Sequence, residues 1–418
     1  MSSGNEQLIT ARVALGLKRQ EEFVTAFADT AVLCGLSVTV TLRQAQRWES
    51  DRPGWPHPDA RQVLKAMFGA TAEELGFVPR RRAASRSGRR GRAGAEQERL
   101  DDRLGAALAA ASRFADHDLV LLLADAVDAA ALLDSKGGPR TALPRVGVVL
   151  DALETLIPGA RGPVRTELLA LGARAAELTA WLHRDSGSPE PLTAMWHNRA
   201  LEWSTMAGDG AMHAYVLLRK AQATSPGDPA KMGDLARAAH SGPFRLPPRP
   251  RAEALQQEAR ALALTGASLP EVLVLLDGAT EALAAAPAPS APATCTGPLG
   301  EGYTLDRLMV QWALCLREAG RPELAIPMYE QYLPTGTFSA RDRAFFTATH
   351  AGALARAGEP DAAAATALSV LPLVTGPLFG QALAELHRTA AALNGHGRRA
   401  AVRRLRTELA GLPSTQRG

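Results

Sequence analysis

Glycines recur along the second half of the chain at Gly187, Gly227, Gly266, Gly320, Gly358 and Gly395, separated by 40, 39, 54, 38 and 37 residues. The long interval contains the low-complexity stretch Ala284-Ala285-Ala286-Pro287-Ala288-Pro289-Ser290-Ala291-Pro292-Ala293. Removing about fifteen inserted residues restores the common period. Between the glycines the chain is rich in Ala and Leu, which favour helix. Glycine adopts the left-handed conformation that ends one. A unit of this length holds two helices and cannot bury its apolar face alone, so neighbouring units must stack. The fold class expected is all-α, with a helical-hairpin array forming most of the chain.

The totals agree with a packed, water-soluble chain. At 418 residues there is room for two to three domains, and 46% hydrophobic with 22% charged residues excludes global disorder. No apolar run approaches the ~20 residues that a bilayer span needs, and Met1 to Gln7 carries no basic segment leading into an apolar core. Cys34, Cys295 and Cys315 are too far apart in sequence for a zinc spacing or a disulfide framework. A cytoplasmic protein without a membrane partner is expected. The chain contains no His-Glu-x-x-His, no phosphate-cradling glycine loop and no Gly-x-Ser-x-Gly elbow, so neither enzyme chemistry nor a cofactor or metal is expected.

Charge is distributed unevenly. Residues 1–94 hold 15 Lys/Arg against 9 Asp/Glu, a balance of +6, and the remainder holds 32 against 34, a balance of −2. Positive charge concentrated on one small region is the footprint of a nucleic-acid-binding head on a neutral body. Inside that region lies Val40-Thr41-Leu42-Arg43-Gln44-Ala45-Gln46-Arg47-Trp48-Glu49-Ser50. As a helix it places Leu42, Ala45 and Trp48 in one apolar stripe. Arg43, Gln44, Gln46 and Arg47 project from the other side. Thr41 is a good N-cap, and Gln44 completes a Thr-x-x-Gln capping box. A solvated surface helix has the same pattern. A helix in the DNA major groove needs it too, because Arg pairs with guanine O6/N7 and Gln with adenine N6/N7.

Around that helix the spacing predicts a helix from about Asn5 stopped by Gly16, and a second opening at Lys18-Arg19-Gln20-Glu21-Glu22-Phe23 and running to Cys34, with Gly35 at its C-cap. Leu36 to Val40 reads as a β-branched connector. Pro53 to Pro58 is a rigid turn, Asp59 to Phe68 a further helix facing Val63, Leu64, Met67 and Phe68 inward, and Thr71 to Phe77 a capped turn. Gln20-Glu21-Glu22-Phe23, Val40-Thr41, Arg47-Trp48-Glu49-Ser50 and the Glu-Glu-Leu-Gly-Phe run ending at Phe77 together resemble the lambda-repressor-like, or XRE, family of helix-turn-helix regulators. The resemblance covers under a fifth of the chain. It implies that the third helix enters the major groove and that Gln20 touches a phosphate. One departure is plain: fifteen steps separate Gln20 from Gly35, where that family has about eight, so the second helix or its turn carries an insertion.

Residues 79–94 are a different material, with seven arginines and no acid. They read as a flexible linker that solubilises, tethers phosphates without sequence preference, or both. Farther on, Ala200 to Lys220, Cys315 to Ala325 and Ala353 to Ala363 look like tetratricopeptide repeats of unusually long period, and the combination resembles peptide-responsive regulators built as helix-turn-helix plus such repeats. The Ala- and Arg-rich composition resembles regulators abundant in high-GC actinobacteria. The organisation expected is a helix-turn-helix domain at 1–78, a linker at 79–95, a helical capping or dimerisation segment at 96–160 that the glycine spacing leaves unphased, and a repeat domain at 161–418.

These observations imply a sequence-specific, dimeric transcriptional regulator of double-stranded DNA. Arg43, Gln44 and Arg47 would read bases, while Arg19, Gln20, Thr41, Gln46, Arg80, Arg81 and Arg82 would hold phosphates. A peptide, small molecule or protein would modulate it through the repeats, where Trp196, Trp203, His213, Tyr215 and Arg219 form a candidate ligand groove. The same aromatics, together with Tyr303, Trp312, Tyr329 and Tyr332, equally fit the interfaces between repeats. The alternative function is a protein–protein adaptor with a weak or non-specific DNA-binding head.

Overall fold

The structure, a computed structural model, describes residues 4–34, 36, 38–50, 53–77, 107–287, 298–300, 302–336, 338–375 and 379–412. Among these residues the chain is all-helical, with no strand. It divides into two compact units, Met1–Gly94 and Ala95–Gly418. No helix among the described residues is long and apolar enough to cross a membrane. Gly35 and the arginine-rich segment, including Arg80, Arg81 and Arg82, lie outside the described residues.

The first unit contains α1 (Glu6–Ala14), α2 (Gln20–Leu33), α3 (Leu42–Trp48) and α4 (Pro58–Phe68). Local chemistry sets most of their ends. Asn5 caps α1 by accepting from the Leu8 amide, and Gly16 takes φ +80° between α1 and α2. Pro58 begins α4, and Gly69 ends it in the left-handed conformation. After α4, Thr71 and Glu74 cap each other reciprocally, at 2.7 and 3.3 Å. The core gathers Leu8, Phe23, Phe27, Trp48, Leu64 and Phe77, all buried. Phe27 and Phe77 meet the Trp48 ring edge-on at 5.8 and 5.6 Å. The extra length after Gln20 lies in α2 itself, whose fourteen residues carry Val32 and Leu33 out to 76% and 87% exposure.

In the second unit a short α5 (Ala111–Phe114) precedes fourteen longer helices. These are α6 (His117–Gly137), α7 (Pro139–Gly159), α8 (Gly162–Asp185), α9 (Glu190–Ala207), α10 (Gly210–Ala223), α11 (Pro229–Ser241) and α12 (Pro248–Thr265). They continue with α13 (Leu269–Ala284), α14 (Leu305–Glu318), α15 (Pro322–Thr335), α16 (Ala340–Arg356), α17 (Pro360–Thr375), α18 (Gly380–Ala392) and α19 (Ala400–Ala410). Proline in the first turn starts α7, α8, α9, α11, α12, α13 and α15, where its missing N–H costs nothing.

Each even-numbered helix from α6 packs on the odd-numbered helix that follows, and on the next even-numbered helix. The unit is therefore a succession of hairpins with an inner row from α6 to α18. Gly187, Gly227, Gly266, Gly320, Gly358 and Gly395 all fall between the two helices of a hairpin. The segment Ala200 to Lys220 instead spans the junction of two hairpins, α9 to α10, around Gly208 at φ +70°. The described part of the segment expected at 96–160 contributes the first hairpin, since α6 and α7 share one hydrophobic core with α8 to α12. The inner row also meets itself, with α16 touching α6 and α18 touching α8.

Candidate functional site

Two places concentrate chemistry, one in each unit. In the first, α3 sorts its side chains by face. Ala45 and Trp48 are buried, whereas Thr41, Arg43, Gln44, Gln46 and Arg47 are exposed. The Thr41 hydroxyl accepts from the Gln44 amide at 3.2 Å, but the return bond of a full capping box is absent among the described residues, so the Gln44 side chain points outward. Leu42 corrects the expected stripe. It is 37% exposed, because Val40, just ahead of the N-cap, fills the core beneath the first turn.

The end of α3 is locked by a buried ion pair. Arg12 donates to Glu49 at 2.5 Å and to the Leu17 carbonyl at 2.5 Å, and the Gln20 side-chain amide donates to the same carboxylate at 2.6 Å. Asn5 adds a bond from its side chain to the Trp48 carbonyl at 3.1 Å. One carboxylate thus ties α1, α2 and α3 together, and the half-buried Gln20 amide is engaged in that network. Arg19 is exposed beside it at the start of α2.

In the second unit the inner helices surround a partly open cavity, about 660 Å³ of empty space with the open solvent at its mouth included. Trp181, Arg184 and Asp185 come from α8, Arg219 and Gln222 from α10, and Arg307 and Gln311 from α14. Arg341, Asp342 and Phe346 come from α16, and Gln381 from α18. Helix α12 supplies Glu253, Gln256, Gln257 and Arg260, a polar stripe at i, i+3, i+4 and i+7 on a helix buried from Ala252 to Ala261.

Several of these charges are paired. Arg219 donates to Glu177 at 2.5 Å and to Gln222 at 2.7 Å, and its guanidinium lies 4.0 Å from the Trp181 ring centre. Gln222 passes the chain on to Glu253 at 2.8 Å. Arg307 grips Asp342 with two bonds at 2.8 and 3.0 Å. Arg341 crosses from α16 to Asp134 of α6 at 2.5 Å and lies 4.0 Å from Asp185. Behind the cavity, Arg317 pairs with Glu318 at 2.6 Å and with Glu385. Burial works against the Glu385 charge, but Arg317 and Arg388 hold its carboxyl down at about 2.

Two cations have no such partner. Among the described residues Arg184 and Arg260 have no carboxylate within salt-bridge reach, and the Arg260 Nε is buried without a hydrogen bond. Burial, with the nearby Arg219 and Arg260 charges, pulls Arg184 down to about 9. Burial lowers Arg260 as well.

Of the five groove residues expected from sequence, only Arg219 lines this cavity. Trp203 lies on the outer helix α9 and packs against Gly172 of α8, where a Cβ would meet its ring at 2.7 Å. Trp196, half-buried on α9, packs on the same core. His213 contacts the Phe244 ring at 5.1 Å and the Thr205 hydroxyl at 3.1 Å. Tyr215 is buried in the core, as are Tyr303 and Tyr329. Sequence reasoning passed over Arg184, Arg260, Arg307 and Arg341, which lie on four different helices. The usable signal was the α12 stripe, four polar residues at core-facing spacing.

The chain matches no protein-family model. No curated protein matches it either.

Proposed function

We propose that the protein is a sequence-specific DNA-binding transcriptional regulator, whose activity is modulated by a ligand held in the helical-hairpin unit. One observation carries the DNA-binding half: a capped helix buries Ala45 and Trp48 while offering Arg43, Gln44 and Arg47 together on its open face. Arg19, Thr41 and Gln46 flank that face and are placed to hold phosphates. The likeness to lambda-repressor-like regulators and the positive balance of residues 1–94 support the same reading, and Arg80, Arg81 and Arg82 would add sequence-blind phosphate contacts. Such heads act in pairs on half-sites about one helical turn apart, so a dimer is part of the proposal.

The test is selection from a random DNA pool with the full-length protein at near-physiological salt, followed by gel shifts of Arg43→Ala and Arg47→Ala. Each bidentate base contact contributes about 1–3 kcal/mol of discrimination, so each folded variant should relax preference at one position of the motif. Unchanged preference in both variants would sink the base-reading role. The exposed Val32 and Leu33 at the end of α2 favour a second reading, a protein–protein adaptor with a weak DNA-binding head. An adaptor would enrich DNA without a motif.

A further inference from the structure

The cavity of the second unit holds two arginines that, among the described residues, no carboxylate pairs at salt-bridge distance. Of the five arginines lining it, Arg219, Arg307 and Arg341 each have a carboxylate at hydrogen-bond distance. Arg184 and Arg260 have none among the described residues. Arg260 is only 9% exposed and its Nε lacks any partner. Burying a guanidinium unpaired is costly, and at Arg184 the Arg219 charge adds repulsion. Beside them stand the neutral amides of Gln256 and Gln257, and the acids of the lining, Asp185, Glu253 and Asp342, make no ion pair with either arginine. A site that keeps two forked donors out of ion pairs and opens to a cavity is suited to an anionic oxygen group arriving from outside.

We infer that this cavity binds a small carboxylate- or phosphate-bearing molecule, with Arg184 and Arg260 as its principal contacts. The inference rests on the hairpin unit being the sensing part of the regulator, and its test is run without DNA so that either can fail alone.

The experiment uses the full-length protein and two probes, inorganic phosphate and succinate. Each is titrated while the thermal midpoint and the tryptophan emission are recorded, since Trp181 lies in the cavity wall. At least one probe should raise the midpoint by mass action and change the emission, and the one that acts identifies phosphate or carboxylate as the preferred group. Arg184→Gln and Arg260→Gln should weaken that response about tenfold or more, the loss expected for a charge-assisted hydrogen bond. Without ligand they should melt at or above the wild-type temperature, because each removes a buried cation that no carboxylate pairs. An Arg43→Ala/Arg47→Ala double variant should keep the full response. The inference falls if neither probe acts at tens of millimolar, or if both cavity variants respond like wild type. It falls equally if the unliganded variants melt well below wild type, which would make the arginines structural, or if the double variant loses the response, which would place the anion on the first unit.

Discussion

At the scale of single residues, burial decides what each polar group does. His197 on α9 is 3% exposed, and burial, helped by Arg219, Lys220 and Arg184, depresses it from 6.5 to about 3. A histidine kept neutral in the fold but protonated when unfolded contributes stability that is fully present above pH 6.5. That stability is lost as pH falls toward 3, at about 1.4 kcal/mol per pH unit. Urea denaturation followed by helix content, at pH 6.5 and at pH 5, should therefore show the wild type losing about 2 kcal/mol more than His197→Leu. Equal losses in the two proteins would mean that His197 is accessible to protons in the folded chain. In the first unit, Arg12 and Gln20 both converge on the Glu49 carboxylate, which is almost closed to water.

Single elements show how a face is made. Helix α3 is only seven residues long, too short to persist alone, so its exposed Arg43, Gln44 and Arg47 depend on what Trp48 does underneath. That ring is 3% exposed and lies between Phe23, Phe27 and Phe77. Trp48→Ala should cost about 3–5 kcal/mol and unfold the first unit rather than retune its preference. Amide hydrogen exchange would show the loss, with protection vanishing in α1 to α4 while α6 to α19 stay protected. Retained protection in α1 to α4 would show that the aromatic cluster is dispensable. The helix boundaries, by contrast, were legible from sequence. Proline in the first turn, Asn, Asp, Ser or Thr at the cap and glycine at the end act within a few residues of themselves. Leu42 escaped that logic because whether the first turn of α3 is covered depends on Val40 and the path by which the chain enters the helix.

Across the second unit, closure of the inner row is what turns a series of hairpins into a site. Arg341 of α16 reaches Asp134 of α6, joining the first and sixth of its hairpins. Arg341→Met should destabilise the unit by about 3–5 kcal/mol at neutral pH, the usual cost of stranding a buried charge. The pH dependence has a definite sign. Burial already raises Asp134 from 3.8 to about 6 in spite of Arg341, and a carboxyl raised in the fold contributes stability that is present below 3.8 and lost as pH rises through 6. Removing the arginine raises Asp134 further, so the deficit should be largest above pH 6 and shrink toward pH 4. Thermal melts at pH 4 and pH 7 measure it. A deficit independent of pH would point to lost packing against Trp181, whose ring centre is 5.4 Å from the guanidinium.

What the amino-acid order determined by itself was local: where helices start and stop, that they come in pairs, and which side of α3 is polar. Capping, proline geometry and glycine's left-handed freedom operate over one turn of chain, and the glycine spacing repeats them often enough to be read. Only the tertiary structure decided that aromatics such as Trp203 and Tyr215 are core and that scattered arginines converge. The cavity draws Arg184, Arg260 and Arg341 from three helices far apart in the chain, and their meeting depends on how each inner helix packs on the next. No short-range pattern encodes that packing, because it joins residues whose separation in sequence far exceeds one turn of chain.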